Sequence, residues 1–129
     1  MSSVAPQALA LVVCDAVHED PSTGKRTLLG LFNGLTSRQF PAIHQSLAVY
    51  AAITEGYGEY RVTLKITDSE GMSTLYESGT EIRFLDPRTV AEISFTFLRL
   101  RFPVAGEYRV QLHVGEHFLT ERRLVVRQV

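Results

Sequence analysis

The sequence predicts an all-β sandwich of two antiparallel sheets, built from about nine short strands. Three observations predict it. Apolar residues recur with a period of two far more often than with a helical period. Turn-forming clusters of Gly, Pro, Asp and Ser separate the alternating runs at hairpin spacing. The pentapeptide GEYRV occurs twice, at 58–62 and 106–110, and each copy opens an alternating strand.

The first run, ALALVVCDAVH at 8–18, is apolar on both parities. Leu9, Leu11 and Val13 fall on one face, and Ala8, Ala10 and Val12 on the other. The turn PSTGK at 21–25 separates it from RTLLGLF, where Leu28, Leu29, Leu31 and Phe32 again occupy both parities. Residues 38–46 contain Pro41 and read as a loop with at most one helical turn. In the next alternating strand Tyr60, Val62, Leu64 and Ile66 alternate with Arg61, Thr63, Lys65 and Thr67. DSEG at 68–71 and DPR at 86–88 supply the following turns. Ile93, Phe95 and Phe97 then alternate with Ser94 and Thr96, but Leu98, Leu100 and Phe102 take the other parity. That slip predicts a β-bulge near Phe97 and Leu98. After PVAG at 103–106, Tyr108, Val110, Leu112 and Val114 alternate with Arg109, Gln111 and His113. Gly115 and Glu116 turn the chain into the last run, HFLTERRLVV.

The repeated pentapeptide speaks of architecture. Its glycine permits positive φ at the turn into the strand. Its tyrosine takes the first inward position, where the ring caps the core and the hydroxyl reaches the rim. Immunoglobulin-like sandwiches carry such a tyrosine at a sheet corner, so the sandwich is expected to be immunoglobulin-like. Glu59, Arg61, Glu107 and Arg109 fall on the outward parity. The expected core is Leu11, Val13, Leu31, Val49, Ile53, Tyr60, Val62, Leu64, Ile66, Phe84, Phe95, Phe97, Tyr108, Val110, Leu112 and Val126.

The length of 129 residues fits one domain, 1–129, with a self-sufficient core. A net charge of −1 gives no electrostatic reason to expect nucleic acid or an anionic membrane as partner. The apolar run at 8–13 has no basic residue before it and is soon interrupted by Asp15, unlike a signal peptide. No run is long enough to span a bilayer. The single cysteine, Cys14, excludes an intrachain disulfide and leans toward a reducing compartment. A cytoplasmic protein is expected.

Residues that could carry chemistry do not converge in the sequence. Cys14, Asp15, His18, Glu19 and Asp20 are the densest set of potential ligands, but Cys14 and Asp15 point to opposite faces of a strand. His44, His113 and His117 lie on separate elements. There is no G-x-S-x-G elbow and no H-E-x-x-H. GLFNG at 30–34 lacks the Gly-Lys-Ser/Thr ending of a phosphate loop. Arg99, Arg101, Arg122, Arg123 and Arg127 are offset by Glu107, Glu116 and Glu121 and suit a charged, aggregation-resistant edge. No cofactor, metal or catalytic residue is expected.

The two-faced apolar strands are the feature that points outward. A strand apolar on both faces is covered twice by its own domain or once by another chain. Ala8, Ala10, Val12, Leu28 and Leu29 are therefore the candidate interface, to a protein partner or to a second copy in a homo-oligomer.

The runs LVVCDAVHEDPSTGKRTLLGLFNGL, FPAIHQSLAVYAAI, GEYRVTLKITDSEG and FPVAGEYRVQLHVGEHFLTERRLVV together resemble a family of small bacterial proteins of unknown function. The shared features are Cys14 with Asp15, Gly30 with Phe32, Phe40 with Pro41, and the stretch from Phe102 to Tyr108. The resemblance covers nearly the whole chain and implies a single β-sandwich domain without implying an activity. A non-catalytic interaction or assembly module is the function expected. The alternative is a sandwich binding a small molecule or lipid in an internal pocket, and behind it stands an enzyme using Cys14 or the Asp15, His18 and Asp20 region.

Overall fold

Period-two alternation lays down nine strands in residues 5–129, the part of the chain that this computed structural model describes; residues 1–4 of the expected domain lie outside it. They are β1 (Gln7–Glu19), β2 (Arg26–Leu31), β3 (Gly34–Ser37), β4 (Ala42–Thr54), β5 (Gly58–Thr67), β6 (Thr74–Phe84), β7 (Ala91–Phe102), β8 (Gly106–Val114) and β9 (His117–Gln128). Several are longer than the short strands expected, since β1 and β4 each run for 13 residues. β4 begins directly after Pro41, so the expected loop at 38–46 is half strand: Ala42, His44 and Ser46 pair with Phe102, Leu100 and Leu98. Proline is tolerated there because it precedes the ladder and need not donate to it.

The strands form two sheets, one ordered β2-β1-β4-β7 and the other β3-β9-β8-β5-β6. All pairings are antiparallel except one. Short β3 runs parallel to β9, which corrects the expectation of two purely antiparallel sheets. Between the sheets, Leu47, Val49, Ala51 and Ile53 of β4 meet Val62, Leu64, Ile66, Val110, Leu112 and Leu124, all fully buried. Each of the buried Val, Leu and Ile side chains contributes about 1.5–3 kcal/mol by leaving water.

The two GEYRV copies open neighbouring strands. β5 and β8 pair antiparallel, with Leu64 opposite Leu112 and Ile66 opposite Val110, so the copies begin at opposite ends of one sheet. Gly58 takes φ of +88°, as the turn requires. The Tyr108 hydroxyl donates to the Val104 carbonyl at 2.6 Å, closing the β7–β8 corner. The Tyr60 hydroxyl accepts from the Tyr57 N–H at 3.2 Å.

Two phase changes shape the first sheet. The slip in β7 is real, but it inserts no residue. The β4–β7 register runs unbroken from Ile53 and Ala91 to Ala42 and Phe102. Instead, both strands change facing together near Arg99, whose φ is +55°, so Leu100 and Phe102 return to the core without the expected bulge. A register shift does occur between Ala8 and Ala10. It turns Ala8 toward the core and throws Leu9 out, 59% exposed, so Leu9 does not share a face with Leu11 and Val13 as the sequence suggested.

The β1–β2 hairpin doubles back over the outer side of its own sheet. Arg26 lies opposite Glu19 at the far end of the hairpin, while Glu92 lies opposite Ala52, itself opposite Ala10. Nine residues of extended strand separate Glu19 from Ala10 and would span roughly 30 Å. Yet Arg26 Nη1 sits 2.9 Å from Glu92 Oε1. The turn-back falls beside Asp15, opposite Gly30, whose φ of +71° and missing Cβ leave room for the Asp15 carboxylate. After it, Val17, Arg26 and Leu28 face the sheet and are half-buried, while Ala16, His18, Thr27 and Leu29 face solvent. Cys14, Ala48 and Ala52 point outward from the sandwich but are buried beneath the hairpin. Their small size lets it approach. Leu31 falls on the outer surface at 65% exposure, which removes it from the expected core.

Candidate functional site

Folding the hairpin back has a consequence for strand pairing. β2 accompanies only the second half of β1, from Cys14 to Glu19. β4 pairs with the first half on the other side. Among the described residues, no strand therefore pairs with the other edge of β1 from residue 7 as far as Val13, whose carbonyl Phe32 meets. β9 is in the same position: β8 pairs with one side from His117 to Val126, but on the other side β3 meets only Val125 to Gln128. Two half-open edges, one from each sheet, thus lie side by side.

A groove of about 440 Å³ runs between them, lined by Ala8, Leu9, Ala10 and Leu11 from β1 and Thr120, Glu121 and Arg122 from β9. Arg122 bridges it. Its Nη1 donates to the Leu11 carbonyl at 3.0 Å and its Nη2 to Asn33 Oδ1 at 2.8 Å. Phe32 N–H donates to the Val13 carbonyl at 3.2 Å, marking where the β2–β3 crossover closes one end. The carbonyls of Leu11 and Val13 thus point away from β4 into the seam, as alternate residues of an edge strand do. Glu121 is engaged elsewhere, by Arg109 and by Gln111 Nε2 at 3.1 Å. The groove offers backbone edges and an apolar Leu9, and among the described residues no set of acids, bases or nucleophiles converges on it.

The five expected interface residues scatter. Ala8 turns inward against the core. Ala10 and Val12 face the outer side, half-buried, and Leu28 packs under the hairpin. Only Leu29 stays exposed, at 50%. Much of the two-faced apolarity is thus satisfied by the fold-back within the chain. What alternation left unresolved is the outward turn of Leu9 and which stretch of edge stays unpaired among the described residues. The signal was present in ALALVV, an uncharged run before Cys14, but a bulge and a fold-back had to be known to read it.

The Cys14 to Asp20 set also disperses. Cys14 is fully buried, and burial pushes its thiol up, away from the nucleophilic thiolate. Asp15 lies 3.6 Å from His44 Nε2, whose ring packs on Phe32 at 5.3 Å. Glu19 pairs with Arg26. Asp20 caps its turn by accepting from Ser22 and Thr23, and those bonds lower its pKa. His113 meets Phe118 edge to face, and burial, together with nearby Lys65, lowers its pKa. A second cavity, of about 360 Å³, opens at one end of the sandwich between the β5–β6 and β7–β8 turns, lined by Asp68, Leu75, Pro103, Val104 and Tyr108 among others. Among the described residues no helix is long and apolar enough to cross a membrane.

Comparison with known families places the fold in context. A family of unknown function, DUF6941, matches residues 9–127. The chain belongs to that family. The match begins within the open edge of β1 and runs almost to the end of β9, so both sides of the seam lie in the family domain. No curated protein matches the chain.

Proposed function

We propose that this DUF6941 member is a non-catalytic interaction or assembly module that accepts an additional β-strand at the open edge of β1. The observation that carries the reading is the paired opening at Ala8 to Leu11 of β1 and along the facing half of β9, around a groove of about 440 Å³. Strand addition needs reachable backbone groups and a place for alternate side chains; the groove beside Ala8 to Leu11 supports the reading, with Arg122 having to release the Leu11 carbonyl as a strand enters. The sandwich is read as immunoglobulin-like on the corner made by Tyr108 and Val104. The lone buried cysteine supports a reducing, cytoplasmic setting.

Random linear peptides selected on the full chain provide the test, read by backbone amide exchange. Selected peptides are expected to alternate apolar residues and to slow exchange across residues 7–13. Peptides that bind while leaving those amides unprotected sink the reading, as does a selection that yields no binder.

A further inference from the structure

We infer that the segment received at this edge is an extended acidic peptide whose carboxylate is taken by the guanidinium of Arg122. This rests on the strand-addition reading and names the chemistry of its partner.

The first argument is charge. Arg122 is half-buried in the groove, and both of its terminal nitrogens are held by neutral oxygens, the Leu11 carbonyl and Asn33 Oδ1. Among the described residues no carboxylate pairs with it. The adjacent acid, Glu121, is committed to Arg109 and Gln111, and Glu107 pairs with Arg123. A cation drawn partly out of water and met only by neutral acceptors is under-compensated. The groove thus carries an unmatched positive charge beside the apolar Leu9 and Ala10. A carboxylate supplies the missing anion, and its hydrogen bonds to a guanidinium are roughly twice as strong as neutral ones.

The second argument is exchange. Arg122 now occupies the acceptor that an added strand needs. The N–H and C=O of one strand residue point to the same side, so Leu11 directs both to the seam. A carboxylate that takes the two terminal nitrogens end-on, as a bidentate pair, frees the Leu11 carbonyl in the same step. That carbonyl then accepts an N–H of the entering backbone. Asn33 is exposed and returns to water. Every group released finds a partner. A neutral strand displaces Arg122 from the same carbonyl but gives it no anion. The Val13 carbonyl stays with Phe32, which ends the pairing at Leu11.

The third argument is orientation. β9 belongs to the sheet that faces β1. A strand added beside β1 turns alternate side chains toward β9 and the others away from it. Arg122 reaches over from β9, so the acidic residue belongs to the first set. Its neighbours belong to the second, on the side where Leu9 lies exposed. The matching segment is an acidic residue flanked by apolar ones.

The probes are peptides selected from the random library on the full chain, each remade with its acidic residue as the corresponding amide. Selected peptides are expected to carry an acid between apolar residues. Removing that acid is expected to weaken binding to wild type about tenfold in titration calorimetry, the worth of one hydrogen bond to a charged group. Against Arg122→Gln the same replacement is expected to change affinity by less than about twofold, since the acid has lost its partner. The amide peptide should bind this variant at least as well as it binds wild type, because nothing holds the Leu11 carbonyl. If Arg122→Gln does not fold, the Arg122 side-chain N–H signals of wild type decide instead, and they are expected to move with the acidic peptide and not with its amide. Peptides that protect residues 7–13 yet lack an acid, or tolerate its removal, overturn the acidic partner and leave strand addition standing. An acid that matters equally in both proteins, or leaves the Arg122 signals unmoved, overturns Arg122 as its receptor. Binding that leaves residues 7–13 unprotected overturns both readings.

Discussion

Tyr50 and Glu92 show how one outward-facing pair ties down a layer. The Tyr50 hydroxyl donates to the Glu92 carboxylate, beneath the hairpin. Burial first, then the Glu92 hydrogen bond and charge, push the Tyr50 phenol up from 10.0 to about 12. The fold therefore favours the neutral phenol. That contribution is fully present below the ordinary phenol value and is lost as pH rises through the raised one. Stability of the wild type is expected to fall between pH 10 and about pH 12, and Tyr50→Phe to flatten that alkaline limb. Chemical denaturation at a series of pH values checks this; equal slopes for both proteins refute it. At this same scale the sequence was legible where alternation is clean. Leu64, opposite Leu112, is fully buried as expected. Leu31 was not legible, because its facing depends on the bend at the adjacent Gly30. Leu64→Ala is expected to cost about 2–5 kcal/mol. Leu31→Ala should change stability by no more than about 0.5 kcal/mol. A large loss at Leu31 would restore it to the core.

The β1–β2 hairpin is the element whose placement the sequence could least announce. Its two-faced apolarity was visible, and two covers were expected for it, from its own domain or from another chain. Which cover it would find was not visible, because the decisive contact joins Arg26 to Glu92, 66 positions apart. Arg26 is largely covered, its Nε is buried without a partner, and it touches both Glu19 and Glu92. Ion pairs at partly exposed carboxylates are individually weak, so this latch contributes about 1 kcal/mol or less. Its effect is expected to be local. Arg26→Ala should leave the cooperative transition nearly unmoved while the hairpin opens more often. Cys14, sealed beneath it, reports that opening directly. Thiol labelling of Cys14 under native conditions is expected to quicken about fivefold in Arg26→Ala, the population shift that a loss of about 1 kcal/mol produces. An unchanged labelling rate would mean that the hairpin is held by its apolar underside, Val17 and Leu28, and that the latch is incidental.

Across the whole molecule, alternation and turn chemistry were enough to give an all-β sandwich and the strand count. They could not give the closure of the second sheet. β3 is only four residues long, GLTS, with a single large apolar side chain, and its partner lies at the other end of the chain. Leu35 pairs with Val126, so forming that contact closes a loop of about ninety residues. Hairpins such as β5–β6 and β8–β9 close much shorter loops and are expected to form earlier. A short parallel edge strand gains few hydrogen bonds for that entropic cost, so β3 should dock after the rate-limiting step. Leu35 is half-buried against the core, and Leu35→Ala should cost about 1–2 kcal/mol, somewhat below the range for fully buried leucines. If β3 docks late, that loss appears almost wholly as faster unfolding, with the refolding limb unmoved. Stopped-flow refolding and unfolding in denaturant distinguish the cases. A refolding rate that slows in proportion to the lost stability would place the β3–β9 closure inside the folding nucleus, and would make that long-range pairing, rather than the central β4, β5 and β8 core, the part that organises the sandwich first.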